Sequence, residues 1–205
     1  MAHGHDVDRF NRWASKYDDH WMQRIIFEPV QRTVLKLAAE QVPHPRAILD
    51  VGCGTGKLLG LAQSRFPEAK LAGIDAAIEM VRQAQASNPA GTIQFQQAMA
   101  EDMPFPNASF DLAFSTMTFH HWNDQGRGIA EIARVLTPNG RWLLAEFVAS
   151  GSVAVIRRVL RLRQFPERTK LRRDLLAAGL EIVAEEKVHG LRGQVAVMAI
   201  APTRT

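Results

Sequence analysis

The stretch Ile48-Leu-Asp-Val-Gly-Cys-Gly-Thr-Gly-Lys-Leu58 decides the fold of this 205-residue chain. Residues 47–51 form a short apolar run interrupted only by Asp50, which is typical of a parallel strand covered on both faces. Three glycines at alternate positions allow a sharp turn and leave space for a ligand against the backbone: Gly52, Gly54 and Gly56. Apolar residues at helical spacing follow from Leu58 onwards. The pattern predicts a strand, a glycine turn and a helix whose positive end faces the carboxyl edge of a sheet.

The spacing of the glycines distinguishes between kinds of nucleotide site. A dinucleotide-binding turn has the pattern G-x-G-x-x-G, in which the third glycine falls one position later than Gly56. A phosphate-binding P-loop has Ser or Thr after its Gly-Lys pair to hold magnesium, whereas Leu58 follows Lys57 here. Residues 49–56 instead resemble motif I of the class I S-adenosylmethionine-dependent methyltransferases.

Three further stretches resemble the same family, in the group that includes the ubiquinone and menaquinone C-methyltransferases. Residues 98–111, Ala-Met-Ala-Glu-Asp-Met-Pro-Phe-Pro-Asn-Ala-Ser-Phe-Asp, are similar to its G-D-A-E-x-L-P-F-x-D-x-S-F-D segment. Residues 134–141 resemble its R-x-L-K-P-G-G turn, with Asn139 in place of the first glycine. Residues 10–18 fit its F-x-x-x-A-x-x-Y-D pattern. The resemblance covers roughly residues 10–144 and weakens beyond them.

Helices and strands are predicted to alternate along most of the chain. We expect strands at residues 47–51, 69–75, 92–97, 110–115, 141–148, 181–188 and 194–201. Helices are expected after the glycine turn and at residues 8–18, 21–41, 77–86, 125–136, 152–163 and 167–178. This alternation predicts an α/β fold, a Rossmann-like, doubly wound sheet of seven mostly parallel strands with helices on both faces. The resemblance implies that the last strand is antiparallel.

We expect a single domain with three parts. Residues 1–45 would form an N-terminal helical lid, residues 46–148 the cofactor-binding core, and residues 149–205 the substrate-side helices and terminal strands. The lid assignment follows from the resemblance, because in that family this segment folds over the cofactor.

The resemblance implies a site for S-adenosylmethionine, with S-adenosylhomocysteine as the product, at the carboxyl edge of the sheet. The expected cofactor-binding residues are Tyr17, Asp50, Gly52, Gly54, Gly56, Asp75, Ala76, Met80, Met99, Ala100, Glu101 and Ser115. Tyr17 belongs to the lid. Asp75 ends the second strand, where an acid can accept hydrogen bonds from ribose hydroxyls. Met99 stands where the family often has an Asp at the adenine, so we expect adenine to be bound by backbone around Ala100 and Glu101, with apolar contact from Met99.

Methyl transfer from a sulfonium requires little of the side chains beyond placement. Orientation of the acceptor can contribute up to ~7–11 kcal/mol, and a base is needed only if the acceptor keeps its proton until attack. The candidate bases are His120 and His121 after the fourth strand, and Glu146 late in the fifth. A structural role for the histidine pair is the alternative. We expect no metal site, because no Cys or carboxylate cluster surrounds the histidines.

Composition fits one globular domain, with 46% hydrophobic and 22% charged residues. We expect no membrane span, because no apolar run is long enough, and no signal peptide, because residues 1–10 are polar and charged. A single cysteine, Cys53, cannot form an internal disulfide, which makes a reducing cytoplasm the simplest expectation. We interpret Cys53 as a small residue that fits the turn.

The positive charge is concentrated in residues 157–173. This segment has a net charge of +7, whereas the whole chain has +4, so the remainder is slightly acidic. A local patch argues against a protein that coats nucleic acid. Arg157, Arg158 and Arg161 would share one side of a helix and could attract an anionic acceptor or an anionic membrane surface. A solvated charged face is the alternative interpretation.

Three functions remain open from the sequence. The chain could be a methyltransferase acting on a small molecule, a dinucleotide-dependent oxidoreductase, or a non-catalytic S-adenosylmethionine-binding module that regulates a partner. The glycine spacing disfavours the oxidoreductase. Both a monomer and a homodimer are compatible with the sequence.

Overall fold

The structure, a computed structural model, describes residues 4–14, 27–147, 167–190 and 193–203. Its strands are β1 Ala47–Val51, β2 Lys70–Asp75, β3 Ile93–Gln97, β4 Phe110–Thr116, β5 Leu136–Phe147, β6 Leu180–Gly190 and β7 Gly193–Pro202. Its helices are α1 Gly4–Trp13, α2 Glu28–Gln41, α3 Lys57–Arg65, α4 Ile78–Ala86, α5 Gln125–Val135 and α6 Arg168–Ala177, with a 3₁₀ turn at Phe119–His121. Most predicted boundaries agree within two residues, but α1 begins at Gly4 rather than at residue 8, and β5 begins at Leu136 rather than at residue 141. The predicted end of the first helix and start of the second lie outside the described residues.

The seven strands form one sheet in the order β3-β2-β1-β4-β5-β7-β6. Strands β1 to β5 are parallel to one another, and β7 is antiparallel to both β5 and β6. The predicted fold class is therefore confirmed. Because β1 is flanked by β2 on one side and β4 on the other, the carboxyl end of β1 is the topological switch point, where open α/β sheets bind ligands.

Side chains of the central strands alternate between two hydrophobic cores, one on each face of the sheet. In β1, Ile48 belongs to the core under α2, α3 and α4, whereas Leu49 and Val51 belong to the core under α5 and α6. This alternation assigns Asp50 to the α2 and α3 face, because it lies between Leu49 and Val51. Both faces are thus covered by helices, which explains why β1 is nearly all apolar.

Strand β5 begins earlier than predicted because it contains an irregularity. Leu136 pairs with Phe110, and after a shift of register Arg141 pairs with Leu112. The predicted turn lies inside this shift. A side chain at Gly140 would place its Cβ 3.1 Å from the carbonyl oxygen of Phe110, so a glycine suits the close approach of the two strands.

Two of the motif stretches contact each other through Arg134. Its guanidinium donates to the carbonyl oxygens of Phe105 at 2.6 Å and Met103 at 3.0 Å. It also pairs with Glu131, whose Oε2 accepts a hydrogen bond from the Met103 backbone N–H at 2.8 Å. The arginine of the turn motif therefore fixes the loop that follows β3.

The basic segment is only partly described. Residues 148–166 lie outside the described residues, and with them the predicted helix and its arginines Arg157, Arg158 and Arg161. In the four described ranges, no helix is long and apolar enough to cross a membrane.

In the described part of the basic segment, residues 167–173, most of the cations are paired with acids. Arg168 forms two hydrogen bonds with the carboxylate of Glu185. Asp174 accepts from Lys170 Nζ at 2.6 Å and lies 3.1 Å from the Arg173 guanidinium. Asp174 and Glu185 both lie beyond residues 157–173, so neither acid is included in the net charge of +7 of that segment. The positive field along α6 is therefore weaker than the sequence predicted.

Candidate functional site

The glycine turn after β1 is held by the end of β2. Asp75 Oδ2 accepts a hydrogen bond from the Gly54 backbone N–H at 2.9 Å, and Oδ1 accepts one from the Ala77 backbone N–H at 2.9 Å. The Gly52 N–H donates to the carbonyl oxygen of Ile74 at 2.8 Å. One carboxylate thus ties together the two loops that leave β1 and β2 at the switch point. Asp75 fixes the shape of the site in addition to lining it.

The three glycines of the motif serve different purposes. At Gly54, with φ +54°, no atom lies within 4 Å of the position of a Cβ, so this residue faces open space. At Gly52, a Cβ would overlap the side chain of Thr118 in the loop after β4. At Gly56, a Cβ would lie 2.7 Å from Cζ of Phe95. Gly56 therefore packs the start of α3 against β3, and it lines neither of the two cavities described below.

A cavity at the carboxyl ends of β1, β2 and β4 holds about 820 Å³ of empty space, part of it open to solvent. Its wall includes the predicted cofactor residues Gly52, Gly54, Asp75, Ala76, Met80, Met99, Ala100 and Glu101. A concave site with an apolar wall and a few polar groups is typical of small-molecule binding. Glu101 also supports the rim of the cavity, because its Oε1 accepts from the Asp124 backbone N–H at 2.9 Å.

Helix α1 covers one side of the cavity with Phe10. Asn11 Oδ1 accepts from the Glu79 backbone N–H at 3.1 Å, and so caps α4, whose own N-cap residue Ala77 has no capping side chain. The Phe10 ring contacts the His121 ring edge to face, with centroids 5.1 Å apart. Helix α1 therefore bridges α4 and the turn after β4. The other predicted lid residue, Tyr17, lies outside the described residues.

Strand β4 ends one residue later than predicted, which changes the residues that reach the cavity. Ser115 is fully buried, and its Oγ accepts from Trp142 Nε1 at 3.1 Å. Ser115, a predicted cofactor-binding residue, therefore lies in the core and does not line the cavity. Thr116, Met117 and Thr118 line the cavity instead. These residues lie next to the glycine turn because β4 pairs with β1. The sequence motifs do not indicate this pairing.

A second cavity, of about 420 Å³, adjoins the first through Gly52, Gly54 and Thr116. In the described part of the chain, four buried side-chain polar atoms have no hydrogen-bond partner, and three of them belong to its lining residues. These three are Gln31 Oε1, Asp50 Oδ1 and Thr116 Oγ1. All can accept hydrogen bonds, and each buried acceptor left unsatisfied costs about 1–3 kcal/mol. The cavity is therefore suited to a group with several N–H donors, such as an ammonium.

The sequence predicted Asp50 at the site but missed Gln31. Gln31 reaches the cavity because α2 packs on the β1 face that also carries Asp50. No local pattern marks a glutamine in an amphipathic helix as a site residue. Tertiary packing of α2 is the only signal for it.

The two histidines of the 3₁₀ turn have different surroundings. His121 lines the cavity. His120 instead directs Nδ1 to Oε2 of Glu146, at 2.8 Å, and Glu146 is fully buried. Of these two candidate bases, only His121 is therefore among the described residues that line the cavity. Glu146, which the sequence offered as a base, is enclosed by protein and does not line the cavity.

The described residues offer neither a metal-binding cluster nor an accessible thiolate. The described ranges contain no group of three or more His, Cys, Asp or Glu side chains that could hold a metal. Burial raises the pKa of the Cys53 thiol well above its usual value. A protonated, buried thiol is a poor nucleophile, in agreement with a packing role for Cys53.

Asp50 is expected to make stability depend on pH. Burial, with a smaller contribution from Asp75, raises the pKa of Asp50 to about 8. The unfolded chain ionises this group near pH 4, so between the two values the folded state binds the extra proton. Its contribution to the free energy of unfolding falls by at most ~1.4 kcal/mol for each pH unit that the pH rises.

Replacement Asp50→Asn should remove this dependence and stabilise the protein near neutral pH. The measurement is urea unfolding of parent and variant at about pH 5.5 and about pH 7.5. We expect the free energy of unfolding of the parent, minus that of the variant, to become more negative as the pH rises. Asp111→Asn serves as a control, because Asp111 lies at the opposite end of the strands and bonds to the Arg46 N–H. A difference for Asp50→Asn that stays constant with pH would contradict the raised pKa.

Comparisons with known proteins agree with this geometry. Residues 49–144 match the family model described as "Methyltransferase domain". The demethylmenaquinone methyltransferase of Deinococcus radiodurans is 35% identical over 144 residues, which cover 68% of this chain and 59% of that protein. A malonyl-[acyl-carrier protein] O-methyltransferase of Hahella chejuensis is 40% identical over 135 residues, covering 66% of this chain and 47% of that protein. The chain thus spans about half to three fifths of the length of these relatives.

A solved structure with a similar fold has a bound ligand. The 1,6-didemethyltoxoflavin-N1-methyltransferase of Burkholderia thailandensis, with bound 1,6-didemethyltoxoflavin and S-adenosylhomocysteine, aligns with a TM-score of 0.72 at 19% identity. The alignment covers 100% of this chain and 91% of that one. At this identity the likeness shows the fold alone. Together with the family model and the relatives, the strand order and the glycine turn show that residues 49–144 of this chain form a class I methyltransferase domain of the type 11 group.

Proposed function

We propose that the chain is an S-adenosylmethionine-dependent methyltransferase that acts on a small molecule. The observation that carries this proposal is the glycine turn closed by Asp75, which leaves Gly54 facing open space in a cavity at the switch point. Family membership supports a methyltransferase over a dinucleotide-dependent oxidoreductase. A regulatory module that binds the cofactor without turnover remains the second candidate, and the experiments below separate the two.

The residues around the turn fit S-adenosylmethionine. Each oxygen of Asp75 can accept a further hydrogen bond from a ribose hydroxyl, because a carboxylate oxygen has more than one acceptor position. Met80 and Met99 offer polarisable apolar surface for the adenine. Asp50 and Gln31, in the second cavity, offer acceptors to the ammonium of the methionyl part.

The bound cofactor supplies a methyl group that its sulfonium already activates. The residues of the chain bind, orient and exclude water. Phe10 and Trp122 contribute apolar wall to the cavity, and orientation of an acceptor there can contribute up to ~7–11 kcal/mol. His121, which also belongs to this wall, can take a proton from an acceptor that keeps it until attack.

We further propose that the acceptor is anionic or lipid-like. The names of the two relatives include demethylmenaquinone and malonyl-[acyl-carrier protein], which are compatible with such an acceptor. Within this chain, the residues that could attract such an acceptor are the arginines in residues 157–163. The cations of α6 contribute less, because most of them are paired with acids. Attraction to an anionic membrane surface could bring a lipid-like acceptor close to the cavity.

Gly54→Ala tests whether the turn holds the cofactor. A Cβ at residue 54 would enter the space that the ligand needs, so we expect the affinity for S-adenosylhomocysteine to fall at least about tenfold. The measurement is isothermal titration calorimetry with S-adenosylhomocysteine. Alanine at a positive φ also costs about 1–2 kcal/mol of stability, so a control with the same backbone cost is required.

Gly91→Ala is that control. Gly91 has φ +63° and no atom within 4 Å of a Cβ position, as at Gly54, but it is exposed in the loop between α4 and β3. We expect it to lose similar stability and to bind S-adenosylhomocysteine as the parent does. Unchanged binding in Gly54→Ala, or equal losses in both variants, would contradict the proposed cradle.

Methyl transfer itself is tested with S-adenosylmethionine labelled in its methyl group and fractions of a metabolite extract. We expect the parent to transfer label to at least one small-molecule fraction and Gly54→Ala to transfer none. Tight binding of S-adenosylhomocysteine by the parent, with no transfer to any fraction, would instead favour the regulatory module. No binding and no transfer would reject both.

Arg157→Glu combined with Arg161→Glu tests the anionic acceptor. Reversal of two charges should raise the acceptor KM and weaken binding to vesicles that contain anionic lipid, and both effects should shrink at high salt. Affinity for S-adenosylhomocysteine should stay within about twofold of the parent. The matched control is Arg168→Glu, which reverses a cation already paired with Glu185. If the double variant behaved like the parent in both assays, these arginines would have no role in acceptor capture and would only form a solvated charged face.

A further inference from the structure

We propose that Glu146 is a positioning residue, which acts through His120 to hold His121 in the wall of the cavity. The meaning of this role for catalysis rests on the proposed methyl transfer. The geometry that supports it, however, belongs to the described residues alone and can be tested without turnover.

The carboxylate of Glu146 is fully buried and has three donors. Oε2 accepts from the His120 backbone N–H at 3.2 Å and lies 2.8 Å from His120 Nδ1. Oε1 accepts from the backbone N–H of Phe147 at 2.8 Å. Two of the three donors belong to one residue of the 3₁₀ turn, so the carboxylate holds both the backbone and the ring of His120.

Packing alone does not explain why residue 146 is an acid. Strand alternation directs Glu146 to the same face as Trp142 and Leu144, which is a hydrophobic core. Burial of a charge costs several kcal/mol before its partners compensate, and apolar residues of similar volume often serve as well or better. A buried acid in this place therefore indicates a requirement for the contact that it makes.

The contact sets the orientation of the His120 ring. An ionised carboxylate only accepts hydrogen bonds, so His120 has its proton on Nδ1 when it faces Oε2. The ring of His120 then lies with its centroid 3.9 Å from that of His121. The ring of His121 is thus held between His120 and Phe10 of α1, whose centroid is 5.1 Å away.

Aromatic packing fixes the remaining side of the turn. The Phe119 ring lies 4.9 Å from the Trp122 ring and 6.0 Å from the Trp142 ring, measured between centroids. The 3₁₀ turn is therefore anchored by apolar contacts through Phe119 and by the carboxylate through His120. The first anchor reaches the ring of Trp122, which also lines the cavity, and the second reaches the ring of His121, because His120 contacts His121 directly.

The first test reads the two rings by NMR in the complex with S-adenosylhomocysteine. In the parent, we expect the nitrogen shifts of His120 to show the tautomer with a proton on Nδ1, and a nuclear Overhauser effect between His121 and Phe10. Glu146→Gln should remove the signature of that tautomer or exchange broaden it, and weaken the contact between His121 and Phe10. A parent His120 with its proton on Nε2 alone, or a Glu146→Gln variant with both signals unchanged, would overturn the proposal.

The second test separates positioning from proton transfer. The amide of His120→Asn can still donate to Glu146, whereas His120→Leu cannot. With any fraction that the parent methylates, we expect His120→Leu to lower kcat by about tenfold to a hundredfold, because a small displacement of an oriented group can slow a reaction by this factor. The His120→Asn variant should keep most of the kcat of the parent. The affinity of both variants for S-adenosylhomocysteine should stay within about twofold of the parent.

Ser115→Ala is the matched control, since it removes a buried hydrogen bond to Trp142 in the same core without a change at the histidine turn. It should leave kcat near that of the parent. If His120→Asn were as inactive as His120→Leu, the imidazole itself would be required and the positioning role would be wrong. If no fraction were methylated, the proposed function would fail while the NMR signals still decided the role of Glu146.

Discussion

The hydrogen bonds from the Gly54 and Ala77 backbones to Asp75 are the contacts on which the site depends. They join the loops that leave β1 and β2, and they aim the glycine turn at the switch point of the sheet. A carboxylate at a strand end satisfies backbone donors that would otherwise need water. The same group faces the cavity, so one residue both shapes the turn and offers acceptors to a ligand.

The two faces of the sheet make different contributions to the site. On the α2 and α3 face, Asp50 and Gln31 present unsatisfied acceptors to a small polar cavity. On the α5 and α6 face, Glu146 holds His120 behind the wall of the larger cavity. The strands alternate their side chains, so the polar residues at the carboxyl ends are sorted to opposite sides of the turn. The geometry therefore separates groups suited to hold a cofactor from groups suited to orient an acceptor.

Motifs were sufficient to predict the sheet, the glycine turn and about half of the residues that line the larger cavity, because each depends on local pattern. Tertiary contacts leave no such pattern in the sequence. Gly56 looked like its neighbours in sequence, but Phe95 from β3 occupies the space beside it. Ser115 fell one residue short of the strand end, and Trp142 holds it in the core. Gln31 carried no signal, since only the packing of α2 on β1 brings it to Asp50.

The most direct test of the account is calorimetric titration of S-adenosylhomocysteine into Asp75→Asn, with Asp111→Asn as the control. An asparagine can offer only one acceptor where the carboxylate offers two oxygens, so it cannot serve both the Gly54 and the Ala77 donor. The account predicts a folded Asp75→Asn protein whose affinity is at least about tenfold below that of the parent, and a control that binds normally. A folded Asp75→Asn protein that binds S-adenosylhomocysteine as tightly as the parent would contradict it.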